Sequence, residues 1–511
     1  MSVLSVDTDV SVPAEVGVSL ATDVIRPAGP GRHPTVMMRT AYDRTTYASV
    51  SLQVHALRLA YAGYAVVLQD VRGRFGSGGS FEPFLNEQAD GIATLDWVTS
   101  MPWCNGEVAM GGASYNAFSQ MAAATSGHES LKAVVPALAP ADVRDTWIRR
   151  GGSLDIGFHL SWALSSIATL DRRTSNVEAL LTALDDPWLT SAAGVDQPVL
   201  RATPAADWFF DWAEKPDPYA GDHRVPTETD LAQVSVPALV VAGWYDVFAV
   251  GSFRLFDALG NGSHVVCGPW DHSGLPLGRR AGDLDFGRGA AVDLHQLQIE
   301  WYDVHLRETG PLPPKATVFV TGVNEWIQLD EWPPPGISRN WYLHSAGGLA
   351  ESPSEAGEVA FEVSADAPTP SVGGRCFPWE PALRSGAFDG SSRTQRPDIL
   401  TFTSDPLEAP IRIIGSAELT LSTSLETTPQ QFVAELVDVH PDGSAWNVSD
   451  GIVESPESPV TIDFGVIGHE FGVGHRIRVN VSGAAWPRFV VLPGRRVLHT
   501  GSSRLTMNET P

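Results

Sequence analysis

Cysteine, positive charge and long apolar runs are all scarce in this sequence. The three cysteines, Cys104, Cys267 and Cys376, are far apart and odd in number, which argues against a disulfide framework or a thiolate zinc site. The 34 Lys and Arg residues face 60 Asp and Glu residues, and the resulting net charge of −26 repels phosphate backbones and anionic lipids. No run approaches the roughly 18 apolar residues of a membrane span. We therefore expect neither a nucleic-acid partner nor a membrane partner.

The N-terminal segment also lacks the features of a secretion signal. Residues 1–17 are acidic and alternating, without a basic start or an apolar stretch, so we expect a cytoplasmic location. At about 100 to 200 residues per domain, a chain of 511 residues should hold two to four domains, each with its own core.

The first part of the chain alternates strands with helices. Runs typical of strands occur at residues 18–24, 35–38, 64–68, 107–110 and 131–135. An apolar stripe with a spacing of three predicts a helix over 89–98, and an Ala-rich helix is predicted between the last two strands. This alternation favours a parallel sheet with helices on both faces.

The pattern changes after residue 144. Residues 145–235 contain no convincing strand, only aromatic-rich helical stretches such as 160–170 and 177–184, the second with Thr174, Ser175 and Asn176 as candidate caps. Strands resume at 237–241 and 264–267, and a helical stretch follows over 292–306.

Beyond the Pro-rich run at 332–335 the pattern becomes that of an all-β domain. Residues 417–423 and 476–482 alternate strictly, helical periodicity is scarce, and turn signals separate the runs, which predicts a sandwich or jelly roll. The predicted domains are an α/β domain at 1–144 and 236–337, an inserted helical cap at 145–235, and a jelly roll at 338–511.

The segment from Gly106 to Ala117 carries the strongest chemical signal. A buried strand runs into Gly112-Ala113-Ser114 and then directly into a helix, which is the context of a nucleophile elbow. The usual pattern is Gly-x-Ser-x-Gly, and Asn116 stands at its last position. The alternative interpretation is an ordinary helix start with Ser114 as the N-cap.

Two further polar residues follow apolar strands. Asp246 comes after one strand and His272 after the next, at the carboxyl edge where the active sites of parallel sheets lie. Each alone is compatible with a turn or loop residue. The chain order Ser114, Asp246, His272 is that of the α/β-hydrolases, and this coincidence favours a catalytic triad.

These motifs and several others resemble those of a known family. The segments concerned are Arg39–Asp43, Gln69–Gly79, Ser114-Tyr115, Ala242–Asp246, Gly268–Ser273, Phe432–Gly443 and Gly474–Ile477. Together they closely resemble the cocaine esterase family, whose relatives are the X-prolyl dipeptidyl peptidases and the α-amino acid ester hydrolases. The resemblance spans nearly the whole chain and implies an α/β-hydrolase domain with an inserted helical cap and a C-terminal jelly roll.

The resemblance also implies a role for individual residues. The implied roles are nucleophile for Ser114, acid for Asp246, base for His272, oxyanion hole for the Tyr42 phenol and the Tyr115 N–H, and acyl-pocket wall for Trp147, Trp162 and Phe248. The expected reaction is hydrolysis of a small-molecule carboxylic ester through an acyl-enzyme, with no metal and no cofactor. A homodimer is left open.

Two rival functions are kept beside this one. An amide or peptide hydrolase of the X-prolyl dipeptidyl peptidase or α-amino acid ester hydrolase type would need acidic groups near Ser114, and Asp155, Asp207 and Asp211 are the candidates. The other rival is a catalytically silent ligand-binding protein.

A zinc protease motif is not supported by the sequence. His469-Glu470 would require its second histidine at position 473, which is Val, and His475 is out of register.

Overall fold

The structure of this protein is a computed structural model. The structure describes residues 3–168, 178–179, 196–203, 206–274, 278–353, 355–379, 383–424 and 426–510. The predicted caps at 174–176 and most of the predicted helix at 177–184 lie outside the described residues.

The larger sheet belongs to the α/β domain. The strands of the first 330 residues are β1 (Leu4–Pro13), β2 (Ser19–Pro27), β3 (His33–Thr40), β4 (Ala65–Asp70), β5 (Cys104–Ala113), β6 (Leu131–Ala137), β7 (Arg149–Arg150), β8 (Ser153–Leu154), β9 (Ala238–Gly243), β10 (Ser263–Gly268), β11 (Arg280–Ala281), β12 (Leu284–Asp285), β13 (Ala316–Val320) and β14 (Glu325–Leu329). In the described part of the chain, ten of them form one sheet in the order β1-β2-β4-β3-β5-β6-β9-β10-β13-β14.

This sheet is parallel in its centre and antiparallel at both edges. The pairs from β4-β3 through β10-β13 are parallel, as predicted. The pairs β1-β2, β2-β4 and β13-β14 are antiparallel, which the parallel-sheet prediction missed. The strands β1 and β14 lie at the two ends of the sheet, and both carry exposed polar positions.

Helices cover both faces of the sheet. The described α-helices are α1 (Ala56–Tyr61), α2 (Glu87–Ser100), α3 (Tyr115–Ala124), α4 (Ile156–Ser161), α5 (Pro198–Arg201), α6 (Trp208–Glu214), α7 (Glu228–Leu231), α8 (Ala249–Leu259) and α9 (Leu294–Arg307). Along β3, Met37 packs into one core, whereas Val36 and Met38 pack into the core on the opposite face. Successive side chains of a strand point to opposite faces, so both faces of the central strands must be apolar.

The described part of the insertion is mostly helical, with one hairpin. Contrary to the prediction of no strand, β7 and β8 form a two-residue hairpin whose turn, Gly151-Gly152, has positive φ at both positions. A Cβ at Gly151 would lie 2.0 Å from the carbonyl oxygen of Ile452, so this turn packs directly against the C-terminal domain. The predicted helix over 160–170 is observed as α4 followed by a π-helical segment, Trp162–Ala168.

The C-terminal domain is an antiparallel sandwich. Its strands are β15 (Ile337–Leu343), β16 (Leu349–Ala350), β17 (Glu358–Val363), β18 (Ile399–Thr403), β19 (Ile411–Thr423), β20 (Gln430–Val439), β21 (Ala445–Ser455), β22 (Val460–Phe471), β23 (Arg476–Ser482) and β24 (Gly494–Glu509). Within the described residues they form a six-stranded sheet, in which the long β24 pairs with β15, β17 and β19, and a four-stranded sheet ordered β18-β23-β20-β21. Buried residues of both sheets, such as Leu419 and Val479, share one apolar core.

The predicted fold class is thereby confirmed. An α/β-hydrolase domain carries an inserted segment and is followed by an all-β domain. Across the described residues, no helix combines the length and apolar character needed to span a bilayer.

Candidate active site

Ser114 lies on a sharp turn between β5 and α3. Its backbone has φ 62° and ψ −123°, a conformation that is strained for a residue with a side chain and typical of a nucleophile elbow. The turn is held by the Ser114 N–H, which donates to the carbonyl of Ala137 on β6 at 3.0 Å. Ser114 therefore presents its side chain at the carboxyl edge of the sheet.

The neighbours of Ser114 explain why this elbow tolerates Asn116. Gly112 has φ +140°, and a Cβ there would lie 2.7 Å from the Asn116 Cβ, so the glycine is required. The buried Asn116 amide donates to Gln53 Oε1 at 2.5 Å, and the same oxygen accepts the Ala113 N–H at 3.0 Å. Gln53 thus holds both flanks of the elbow, which the sequence alone did not reveal.

Asp246 and His272 form a hydrogen-bonded pair just after the ends of neighbouring strands. His272 Nδ1 lies 2.7 Å from Asp246 Oδ2, and the other carboxylate oxygen accepts the Phe248 N–H at 2.7 Å. Asp246 is fully buried, whereas His272 retains 13% exposure of its side chain. Because Asp246 engages Nδ1, the Nε2 atom is the ring nitrogen left for a reacting group.

The loop that carries His272 is tied to the C-terminal domain. Asp271 Oδ1 accepts the N–H groups of Ser273 and Gly274, and Asp271 Oδ2 accepts the Ser385 hydroxyl at 2.6 Å. The position of His272 therefore depends on both domains.

One small cavity brings most of the predicted residues together. It has a volume of about 270 Å³, and its walls are Tyr42, Ala48, Leu52, Gln53, Ala113, Ser114, Ala137, Leu138, Trp162, His272, Ser273, Leu294 and Phe377. Ser114 and His272 thus open onto the same space, with the Tyr42 phenol beside them.

The Tyr42 phenol is placed as a hydrogen-bond donor. Its oxygen accepts the Trp162 indole N–H at 3.0 Å, and Ser114 is its other hydrogen-bonding neighbour. Burial raises the pKa of Tyr42 to about 12, although these two hydrogen bonds and the Arg74 charge act in the opposite direction. The phenol therefore keeps its proton at neutral pH and can donate it to an anionic oxygen.

Tyr115 follows Ser114 as the first residue of α3. As the first residue of α3 its N–H has no acceptor within the helix. Its ring is fully buried between Phe84 and Trp162, and its hydroxyl donates to Glu87 Oε1 at 2.8 Å. Burial raises the pKa of Glu87, and an ion pair with Arg39 at 2.8 Å opposes that rise. The side chain of Tyr115 thus anchors the residue that directly follows Ser114.

The three residues predicted as pocket wall occupy two layers. Trp162 lines the cavity, whereas Trp147 and Phe248 lie behind it, with their ring centroids 4.8 Å apart. Trp147 packs edge-on against Trp162 at 5.3 Å, and Phe248 packs against His272 at 5.5 Å. A wall residue that the sequence analysis missed is Phe377, from the C-terminal domain, which packs against His272 at 5.1 Å. The only local feature of the sequence that could have indicated Phe377 is the pair of aromatic residues in Phe377-Pro378-Trp379.

Two of the acidic candidates of the cap, Asp155 and Asp211, form ion pairs and do not line the cavity onto which Ser114 opens. Asp155 is buried and bonded to Arg150, and Asp211 pairs with Lys215 at the surface. Asp207 is exposed at the start of α6. The described cavity wall contains no carboxylate.

Comparison with known proteins places this chain in a family. Residues 16–274 match the X-Pro dipeptidyl-peptidase (S15) family, and residues 312–510 match the X-Pro dipeptidyl-peptidase C-terminal non-catalytic domain. The chain is 33% identical to the cocaine esterase of Rhodococcus sp. (strain MB1 Bresler), over 95% of this chain and 92% of the esterase.

Solved structures show the same fold. An aminopeptidase from a marine sediment archaeon, Thaumarchaeota archaeon, superposes with a TM-score of 0.83 at 22% identity, over 100% of this chain and 97% of that one. An α-amino acid ester hydrolase superposes with a TM-score of 0.81 at 23% identity, over 99% and 97% of the two chains. The chain thus has the fold of an α/β-hydrolase with a C-terminal all-β domain. More narrowly, this chain belongs to the S15 family of serine hydrolases.

Proposed function

We propose that this protein is a serine esterase that cleaves small carboxylic esters through an acyl-enzyme, with Ser114, His272 and Asp246 as its triad. The observation that carries the proposal is that His272, on the wall of the cavity onto which Ser114 opens, lies 2.7 Å from the buried Asp246. The 33% identity to a cocaine esterase over nearly the whole chain supports ester chemistry.

The proposed mechanism assigns one task to each polar group. A serine hydroxyl is a weak nucleophile, so His272 Nε2 takes its proton while Ser114 Oγ bonds to the acyl carbon. Asp246 fixes the His272 tautomer and stabilises the imidazolium that forms. His272 then returns the proton to the departing alkoxide, and a water molecule activated by the same nitrogen releases the acid and restores Ser114.

Two donors would stabilise the negative charge on the acyl oxygen. The Tyr42 O–H and the Tyr115 N–H flank Ser114, and both are preorganised before substrate arrives: Tyr42 by Trp162, Tyr115 by the start of α3. A donor that meets full negative charge only in the transition state lowers the barrier rather than tightening ground-state binding.

The character of the cavity favours esters with an uncharged acyl group. Its described wall is mostly aliphatic and aromatic, and a substrate ammonium would find no carboxylate there. An unpaired charge in such an environment is costly to bury. We therefore expect neutral acyl esters to be preferred over esters or amides with an α-amino group.

The proposal is tested by labelling with a fluorophosphonate and by a panel of acyl esters that runs from acetyl to benzoyl and includes an α-amino member. Wild type should be labelled, Ser114→Ala should not be, and turnover should fall by roughly 10⁶. The matched control is Ser273→Ala, since Ser273 is an exposed serine of the same cavity that is not on an elbow. Labelling that survives in Ser114→Ala would place the nucleophile elsewhere, and absent labelling of wild type would favour a binding protein. A preference for the α-amino member would favour the peptidase-like alternative.

A further inference from the structure

A cluster of imidazoles surrounds one buried carboxylate in the C-terminal domain, outside the wall of the candidate active-site cavity. We call Asp438, His440, His469 and His475 the Asp438 cluster. His475 Nδ1 lies 2.9 Å from Asp438 Oδ1, His469 Nε2 lies 3.2 Å from Asp438 Oδ2, and His440 Nε2 lies 3.4 Å from Asp438 Oδ2. All three histidines therefore direct a ring nitrogen at the same carboxylate.

Strand pairing and a tight turn bring these residues together. Asp438 stands near the end of β20 and pairs in register with Ile477 of β23, so the start of β23 lies beside it. His475 precedes β23 in a turn closed by its N–H to the Gly472 carbonyl, and Gly474 has φ +79° there. His440 follows β20 directly, and the His440 N–H donates to the Ser444 carbonyl.

The nitrogen and oxygen atoms of three members lie near the spacing of ligands around one ion. The ligand atoms of Asp438, His440 and His475 all lie within 4.8 Å of one another. Four ligands at about 2.0 to 2.2 Å from a tetrahedral zinc ion lie about 3.3 to 3.6 Å apart, so only small side-chain shifts would be needed. Imidazole with carboxylate is a donor set that suits divalent zinc, cobalt, nickel or copper, rather than magnesium or calcium.

The surroundings suit a cation that enters from solvent. Asp438 is 2% exposed, whereas the side chains of His440 and His475 are 36% and 22% exposed, which leaves an entry path on their side. The fourth member, His469, is nearly buried, with Nε2 toward Asp438 and Nδ1 2.8 Å from the Thr321 hydroxyl. It can therefore orient the carboxylate from behind, as neighbours of metal ligands commonly do. The net charge of −26 adds a field that attracts cations.

This site is different from the zinc protease motif that the sequence excluded. Glu470, which would be the catalytic carboxylate of that motif, forms an ion pair with Arg412 instead. The excluded motif requires two histidines one turn apart on a helix, whereas here the ligands come from strand ends and turns. Sequence spacing could not test such an arrangement.

We propose that Asp438, His440 and His475 bind one divalent transition-metal ion of the zinc type, with water completing the coordination and His469 orienting the carboxylate. The ion would join β20 to the turn before β23. Thr321 of the α/β domain contacts His469, so the bound ion would also strengthen the contact between the two domains. Its role would be structural, since none of these residues lines the candidate active-site cavity.

The test uses the full chain without a polyhistidine tag, stripped with a chelator and dialysed against Zn²⁺ or, separately, Mg²⁺. We expect one retained zinc per chain, no retained magnesium, and a melting temperature raised by zinc. Cobalt in place of zinc should give the visible absorption of a low-coordinate Co²⁺–imidazole site. His440→Ala should lose the retained zinc, the rise in melting temperature and the cobalt absorption. This variant is expected to fold, because His440 is partly exposed in a turn.

The control and the contrary outcomes separate this site from nonspecific binding. The control is His344→Ala, which removes a surface histidine of the same domain outside the cluster and should keep the zinc. Zinc retained equally by His440→Ala, or not retained by wild type, would mean that the cluster is only a hydrogen-bond network around Asp438. None of these measurements depends on esterase activity, so their outcome is independent of the proposed function.

Discussion

The candidate cavity has two walls that are held in place by different interactions. The polar wall comprises Ser114, His272, Tyr42 and Gln53, and the apolar wall comprises Leu52, Leu138, Trp162, Leu294 and Phe377. Members of the polar wall are fixed by directional hydrogen bonds at strand ends, such as those from His272 to Asp246 and from Ser114 to Ala137.

The apolar wall is held mainly by ring packing. Trp162 stacks with Tyr115 at 6.0 Å, and Phe377 packs against Phe158 at 5.1 Å. Packing is tolerant of changes that conserve volume, whereas a triad loses its function when one partner is displaced. The polar wall should therefore set turnover, and the apolar wall should set acyl preference. Trp162 belongs to both, because its indole also bonds to Tyr42.

The largest expected effect that tests this division is that of Asp246→Asn. The amide cannot hold His272 in the required tautomer, so turnover should fall by about 10⁴ while the protein stays folded. Esterase kinetics and a melting curve check this. Asp257→Asn, at an exposed position on α8, is the matched change and should be nearly silent. An equal loss in both variants would remove Asp246 from the polar wall.

Tyr42→Phe should have the next largest effect. It keeps the ring and removes the donor, so turnover should fall by about 10² to 10³ with little change in the Michaelis constant. Tyr219→Phe is an apt control: Tyr219 also accepts an indole N–H, from Trp212, but its own proton goes to the Pro83 carbonyl rather than toward Ser114. That variant should lose stability rather than turnover. Normal turnover in a stable Tyr42→Phe would mean that other groups form the oxyanion hole.

The free energy of unfolding should decrease in acid because a histidine is buried behind the apolar wall. Burial lowers the pKa of His159 to about 4, and His159 Nε2 bonds to the Trp147 carbonyl at 3.0 Å. Between about pH 6.5 and 4 the unfolded chain binds a proton that the folded chain does not, so the free energy of unfolding should decrease by about 3 kcal/mol as pH falls through this range. His159→Gln should flatten this slope in denaturant titrations, and the surface variant His223→Gln should not. An unchanged slope in His159→Gln would assign acid sensitivity to other groups.

The smallest expected effect separates the two layers of aromatic residues. Phe377→Leu changes the cavity surface and should alter the benzoyl-to-acetyl ratio of kcat/KM by about 5- to 30-fold, which corresponds to about 1 to 2 kcal/mol. Phe248→Leu changes a residue behind that surface, so we expect it to affect both esters alike through its contact with His272. A larger ratio change in Phe248→Leu would reverse this assignment and return Phe248 to the pocket wall predicted from the sequence.

Predictions from sequence were most successful where a residue follows a strand. The central strands were recognisable because residues buried on both faces of a parallel sheet form short apolar runs, such as those in β4 and β9. Ser114, Asp246 and His272 follow such runs, and the strand ends lie at one edge of the sheet, so their proximity could be anticipated. The strand β1 was missed because it lies at an exposed edge, where apolar pattern is weak.

The cavity wall was predictable only in part. Trp162 was named, but Gln53 ends a short π-helical segment, Ala48–Gln53, that was not predicted, and Phe377 comes from another domain more than 200 residues beyond Ser114 in the sequence. Such residues meet the site through long-range packing, which leaves no local spacing rule in the sequence.

Sequence patterns alone predicted the α/β and all-β classes, favoured an elbow at Ser114 and gave the chain order of the candidate triad. These depend on local periodicity, turn chemistry and strand ends, which neighbouring residues specify. Only the tertiary structure decided that Asn116 is accommodated by Gln53, that Trp147 and Phe248 lie behind the wall, and that three histidines converge on Asp438. Those arrangements depend on how separate strands and domains pack against one another, and side-chain distances across such contacts are set by the whole fold rather than by any segment.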